Sequence, residues 1–245
     1  DAVPVRVADA SPFIESGYAL ELTALVTENA PTLLGRLEEA NNWDTLKWSL
    51  DDPGRYYLPR LTNVAEREVF DVNNWHFLQH EVVISQGFPE IRTLEDYERA
   101  IKTYLEQNPT IDGQPTIGLS LLADQWRWII SLTNPGMMAS GLQSSGEFWV
   151  DPDTGEVWYR IMRPEEKEYY EWLNRMWNEG IIDRDAFTQT LDQYRAKVST
   201  GRVLAITDMG WQFGPAEAAL REQGRLNGTY GAYPVALDED TMVST

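Results

Sequence analysis

The stretch Gly201-Arg202-Val203-Leu204-Ala205-Ile206-Thr207-Asp208-Met209-Gly210-Trp211-Gln212-Phe213-Gly214-Pro215 sets the fold class. Gly201 stops a helix, since glycine enters the left-handed conformation of a helix end at no steric cost. Val203 to Ile206 is a short apolar run that reads as a strand. Pro215 starts a further helix, at the position where its missing N–H is not needed. Upstream, a helix from Asp185 turns Phe187, Leu191, Tyr194 and Val198 inward. A strand between two helices predicts an α/β fold with helices layered on a sheet. Ligands of such sheets sit where strands end, which makes Asp208-Met209-Gly210-Trp211-Gln212 a candidate site.

The alternation extends towards both ends. Val3 to Val7 is a predicted strand, Ser11 to Gly17 a loop, Thr32 to Ala40 a helix behind Pro31, and Asp44 to Leu50 a second helix or turn. Tyr56-Tyr57-Leu58-Pro59 is a predicted strand ending at its proline, and Asn74 to Ser85 a helix. Thr93-Leu94-Glu95-Asp96 is a capping box, followed by Leu94, Tyr97, Ala100, Ile101, Tyr104 and Leu105 at helical spacing. Thr116 to Leu121 is a strand that reaches Ala123-Asp124-Gln125-Trp126, where another helix begins. Phe148 to Val150 and Val157 to Met162 pair as a hairpin, and the acids of Asp151-Pro152-Asp153-Thr154-Gly155 fit its turn better than a calcium loop. Pro164-Glu165-Glu166 opens a helix with Tyr169, Trp172, Leu173, Met176 and Trp177 on its core face. The helix dipole accounts for its first-turn acids, which are expected to be solvated rather than a catalytic pair. Tyr230 to Val235 is the last strand.

Acidic residues outnumber basic ones 39 to 20, and a net charge of −19 repels nucleic-acid phosphates and anionic membrane faces, so nucleic acid is excluded as a partner. Solubility alone explains that charge equally well. The absence of cysteine rules out disulfides, thiolate metal sites and cysteine nucleophiles. His76 and His80 are the only histidines, too few for a His-rich metal centre. No apolar run approaches the ~20 residues of a membrane span. With no initiator Met, signal peptide or lipidation motif, the chain is expected to be an internal piece of a longer protein. Ten tryptophans supply either core or a face that stacks on sugar rings.

Two stretches carry a family likeness. One is Arg92-Thr93-Leu94-Glu95-Asp96-Tyr97-Glu98-Arg99-Ala100-Ile101 with Asn108-Pro109 and Ile111-Asp112-Gly113-Gln114-Pro115-Thr116-Ile117-Gly118-Leu119. The other is Pro164-Glu165-Glu166-Lys167-Glu168-Tyr169-Tyr170, then Trp177-Asn178-Glu179-Gly180-Ile181-Ile182-Asp183, then Lys197, Gly201-Arg202-Val203 and Trp211. Together they resemble the extracellular solute-binding proteins of carbohydrate ABC transporters, in the branch of alginate-oligosaccharide-binding and lipoprotein-type oligosaccharide receptors. The likeness runs over most of residues 18 to 236.

The resemblance implies a two-lobed periplasmic-binding-protein-like fold of type II, incomplete at both ends. Residues 1–121 are then part of lobe one, 122–236 lobe two, and 237–245 a segment crossing back, with junctions around 119–123 and 234–238. It implies an oligosaccharide ligand, ABC permease subunits as partners, and a place at the outer face of the cell membrane or in the periplasm. Membrane attachment would come only through a lipid anchor outside this chain. Neither enzymatic activity nor a cofactor is expected. Relatives often carry a carboxylate-rich calcium loop after the helix that Thr93 caps. Here Asn108 to Gln114 offers Asp112 alone, so no metal is carried over.

A sugar site needs flat aromatics for ring faces and planar polar groups for hydroxyls. Trp211, with Asp208 and Gln212, meets this at a strand end, where the resemblance also puts a sugar-stacking tryptophan. Asp124, Gln125 and Trp126 hold the equivalent place after the strand ending at Leu121. For Trp126 ligand and core roles both stay open, while Trp128 and Ile129 are expected to supply the core face. Asn74 and Trp75 are candidates against the reading of a helix cap and a core tryptophan. Arg60 is a further candidate for bonding a hydroxyl or a uronate. A glycoside hydrolase is the main alternative, but no motif sets two carboxylates across a scissile bond. A peptide-binding receptor of similar architecture is the other.

Overall fold

The computed structural model describes residues 10–39, 43–58, 75–141, 148–151 and 154–241. The chain divides into two compact units, Asp1–Glu68 and Val69–Thr245.

In the first unit, helices α1 (Ser11–Glu15), α2 (Thr23–Asn29) and α3 (Pro31–Glu39) precede a 3-10 turn at Asp44–Leu46. Arg55 is buried, donates from Nε to the Trp43 carbonyl at 2.8 Å and lies over the Trp43 ring at 4.2 Å. This arginine holds the segment around residue 55 against the turn that follows Trp43. The segment expected as a loop at Ser11 is helical, and of the helix or turn expected over Asp44 to Leu50 the turn forms, at Asp44–Leu46. No strand forms at residues 56–58; Pro59 and the strand expected at Val3 to Val7 lie outside the described residues.

The second unit is built on one mixed sheet. Its strands are β1 (Trp75–Gln79), β4 (Ile117–Ser120), β7 (Val203–Asp208) and β8 (Tyr230–Tyr233), in the order β4-β7-β1-β8. Between them come α4 (His80–Ser85), α5 (Leu94–Gln107), the short pair β2 (Thr110–Ile111) and β3 (Gln114–Pro115), and α6 (Asn134–Ala139). The hairpin β5 (Phe148–Val150) and β6 (Val157–Tyr159) leads through a 3-10 turn into α7 (Pro164–Asn178), then α8 (Leu191–Ser199) and α9 (Gly210–Glu222). One core joins Leu78, Leu119 and Leu204 of the sheet to Tyr97 and Ile101 of α5 and Met176 of α7. A second joins Phe77 and Ile206 to Tyr194 of α8 and Phe213 of α9. The α/β class holds, with helices on both sides of the sheet.

Several elements differ from expectation for identifiable reasons. Residues 75–79 are a strand, not the start of a helix: His76 and Gln79 are buried along with Phe77 and Leu78, so polar residues inside a two-faced strand hide its pattern. Helix α9 begins at Gly210 and runs through Pro215, which puts Trp211 in its first turn. Helix α8 begins at Leu191 behind a capping box of Thr190 and Gln193, leaving Phe187 in a turn and exposed. Glu166 is not solvated: it is 0% exposed and sits 3.4 Å from Arg160, itself 3% exposed. The expected lobe division at 121/122 runs through the sheet, since β7 pairs in parallel with β4 and antiparallel with β1. Leu237 is buried in the same core and donates its N–H to the Ala139 carbonyl at 2.9 Å. Among the described residues no helix is long and apolar enough to cross a membrane.

Candidate functional site

Three strands bring predicted residues to one end of the sheet. Ser120 of β4 pairs with Ile206 of β7, so these parallel strands finish side by side. Asp208 at the end of β7 pairs with Trp75 at the start of antiparallel β1. The backbone after β4 and after β7 therefore emerges at a shared edge, which is where α/β sheets hold ligands.

After β4 the chain is anchored before it turns. Leu121 and Leu122 are buried, and the buried Ser131 hydroxyl accepts from the Leu122 N–H at 3.1 Å and donates to the Leu122 carbonyl at 2.5 Å. Thr207 of β7 donates its hydroxyl to the Ser131 carbonyl at 2.8 Å, tying this corner to the neighbouring strand. Residues Ile129–Thr133 form a π turn, a distortion often found beside functional sites. Between these anchors Gln125 has φ of 51°, left-handed and costly for a side chain with a Cβ. That conformation opens the 3-10 turn Gln125–Arg127.

The outcome is an indole platform. Trp126 and Trp211 stack with ring centres 6.2 Å apart and planes 25° apart, and they are 46% and 51% exposed. Arg127 lies 5.0 Å from the Trp126 ring, and Trp211 donates Nε1–H to the Met209 sulfur at 3.0 Å. The open role of Trp126 resolves towards the surface, and Trp128 is exposed too rather than in the core. Rings this close leave no room for a sugar between them. The two half-exposed rings together make one apolar patch, or shelf, at this edge.

Beneath the shelf lies a buried polar layer. Asp208 and Gln212 are both 0% exposed, so they support the platform from below. Asp208 Oδ1 accepts from the Met209 N–H at 2.7 Å and from Gln212 Nε2 at 2.6 Å, which fixes the first turn of α9 and the base of Trp211. Burial pushes the Asp208 carboxyl up to about 6, opposed by those bonds, by the neighbouring Tyr194 and by the Arg127 charge. Gln212 Oε1 and Arg127 Nε are buried without a hydrogen-bond partner among the described residues, while the Tyr194 hydroxyl interacts with the Asp208 carboxyl.

Of the remaining candidates, Asp124 is partly exposed and stands 3.5 Å from an Arg127 terminal nitrogen, and Gln125 is exposed. Trp75 is placed by its strand register alone, while Asn74 and Arg60 lie outside the described residues. Arg127 was missed as a site residue. Its signal was the spacing Asp124-x-x-Arg127 beside a tryptophan at a strand end.

Away from this end, His76 is buried among Tyr97, Tyr169 and Trp172, and burial lowers its pKa to about 3, so it is neutral. Asp112, in the loop compared with a calcium site, accepts from Arg225 at 2.8 Å. Among the described residues no three His, Asp or Glu side chains are grouped to hold a metal.

No protein-family model matches the sequence, and no curated protein matches it. Similar solved structures include an S. pneumoniae ABC-transporter substrate binding protein, FusA, an EF-hand mutant in complex with fructo-nystose, at 15% identity and TM-score 0.64 over 98% of this chain and 47% of that one. An HMO binding ABC-transporter associated solute binding protein from Bifidobacterium longum infantis ATCC 15697 aligns at 16% identity and TM-score 0.65 over 98% of this chain and 48% of that one. An ABC transporter solute binding protein from Agrobacterium radiobacter K84, in complex with ribitol, aligns at 13% identity and TM-score 0.51, over 97% and 53% of the two chains. The chain thus spans about half the length of the structures it matches, and over that span it has the fold of the substrate-binding proteins of ABC transporters.

Proposed function

We propose that the chain is part of the substrate-binding component of an ABC importer, which captures an oligosaccharide outside the cell and hands it to the permease, and that it is not an enzyme. The observation that carries this reading is the exposed Trp126–Trp211 shelf at the ligand end of the sheet. An indole shelf rimmed by Asp124, Gln125 and Arg127 suits a ligand with apolar ring faces and a belt of hydroxyls. The fold shared with sugar-binding and other ABC-transporter binding proteins supports the same reading. In it, Val69–Thr245 belongs to one lobe and Asp1–Glu68 to the other.

A glycoside hydrolase needs two carboxyl groups about 5 to 9.5 Å apart across an open cleft. The buried carboxyls here serve other ends: Glu166 faces Arg160, and Asp208 holds the turn under Trp211. The experiment is a tryptophan-fluorescence titration with a panel of oligosaccharides and peptides, with chromatography of each mixture after incubation. A saturable change with oligosaccharide and no new product is expected. Sugar cleavage, or saturation by peptides alone, would overturn the reading.

A further inference from the structure

A second aromatic group stands on the hairpin β5–β6, which forms a two-stranded sheet of its own. Trp149 faces Trp158 across the two strands, so both indoles lie on one side of the hairpin, with Phe148, Val157 and Tyr159 on the other. Arg163, just past the 3-10 turn, brings its guanidinium to 4.3 Å from the Trp149 ring centre and 5.9 Å from that of Trp158. Glu165 holds that guanidinium by two bonds, from Nε at 3.3 Å and from a terminal nitrogen at 3.1 Å. Trp149 is partly buried, while Trp158 is 42% exposed. The hairpin thus repeats the groups of the shelf: an open indole, a guanidinium against indole and a carboxylate paired with the guanidinium, as in Trp126, Arg127 and Asp124.

The root of the hairpin is tied to the segment that anchors the shelf. Arg160, the residue after β6, is buried and donates to Asn134 Oδ1 at 3.3 Å. Asn134 opens α6 directly after the π turn whose Ser131 holds the Leu122 corner. Ser131 and Asn134 are about one helical turn apart, so shelf and hairpin are mounted on one short stretch of chain. Exposed aromatics grouped in this way mark a binding surface. The planar polar groups, Arg163 and Glu165, accompany the indole side, and flat rings beside planar polar groups suit a sugar.

We propose that the indole side of the hairpin is a second sugar subsite, which takes a unit of the same oligosaccharide farther along from the unit on the Trp126–Trp211 shelf. Trp158 is its stacking residue, and Arg163, fixed by Glu165, bonds a hydroxyl. The inference rests on the carbohydrate-binding reading and adds to it a ligand long enough to reach both places. Short oligosaccharides occupy the shelf alone. In longer ones the second contact is made within an already bound molecule, so affinity rises with length.

The test is calorimetric titration of the parent chain, Trp158→Ala, Trp158→Phe and Val157→Ala with manno-, xylo- and malto-oligosaccharides, each series running from disaccharide to hexasaccharide. In a series that binds, Trp158→Ala is expected to weaken the longest member about tenfold and to leave the shortest binding member unchanged. Trp158→Phe keeps a flat ring and is expected to recover most of that loss. Val157→Ala, on the opposite side of the hairpin, is expected to leave every affinity as in the parent chain. Equal weakening by Val157→Ala overturns the proposal, because the loss then comes from the folding of the hairpin and not from a stacked ring. An equal loss at every length, or none at any, overturns it while leaving carbohydrate binding intact. A concentration-dependent dimer that Trp158→Ala abolishes, with sugar affinities unchanged, overturns it too and makes the hairpin a contact between copies of the chain. Binding by no member of any series overturns the reading beneath and this proposal with it.

Discussion

The indole of Trp126, in the turn after β4, lies nearly parallel to that of Trp211, in the first turn of α9, with ring centres 6.2 Å apart. Two loops from adjacent parallel strands thus present one aromatic surface, held from below by Asp208. Large apolar side chains half in solvent cost free energy that a bound ring face recovers.

Trp172 is the internal contrast. It is buried on α7 and donates Nε1–H to Glu98 at 2.9 Å, so its role is packing. Trp172→Ala should cost about 3 to 5 kcal/mol of unfolding free energy, measured by urea titration, and leave any ligand affinity of the folded fraction unchanged. A loss below about 1 kcal/mol would show that this side of the core repacks freely.

Glu166 and Arg160 form a buried pair at 3.4 Å. Glu166→Leu alone should destabilise by about 3 to 5 kcal/mol, because it strands a buried guanidinium. The double change Arg160→Met with Glu166→Leu should recover most of that loss. If the double variant is as unstable as the single one, the pair does more than balance charge, and folding assays of the two variants decide it.

Two buried groups give stability opposing pH slopes. Asp208 is raised from its ordinary 3.8 to about 6, so its contribution is fully present below about pH 4 and lost as pH rises through 6. His76 is lowered from 6.5 to about 3, so its contribution is present above 6.5 and lost as pH falls towards 3. Asp208→Asn should therefore melt relatively better at pH 7.5 than at pH 4.5 when each is compared with the parent chain, by up to about 2 kcal/mol. A difference that does not change between those pH values would mean Asp208 is solvated.

The sequence made legible what regular patterns encode. The capping box at Thr93 is present, with Thr93 accepting from the Asp96 N–H, and the unbroken apolar run at Val203 is the central strand β7. The strand-end positions of Trp211 and Trp126 followed from the strands expected at Val203 and at Thr116. What was not legible depended on tertiary burial. A histidine and a glutamine buried in β1 disguised it as a helix, and Arg160 drew Glu166 inward from a helix start where solvent was the simpler expectation. Sheet order lies beyond any local pattern, and nothing along the chain places β7 between β4 and β1. The stacking of Trp126 on Trp211 likewise depends on two loops meeting, which spacing along the chain does not reveal.

In the proposed function Trp211 stacks on the ligand and is not part of the core, and Trp211→Ala separates the two roles. With the side chain half exposed and outside both core clusters, truncation should leave the melting curve nearly unchanged. It should weaken binding of the tightest oligosaccharide found in the titrations by about 2 kcal/mol, roughly thirtyfold in Kd. Calorimetric titration beside a thermal melt of the same variant is the direct measurement. Lost affinity with an intact melt is expected; a collapsed melt with affinity retained in the folded fraction would make Trp211 a core residue instead.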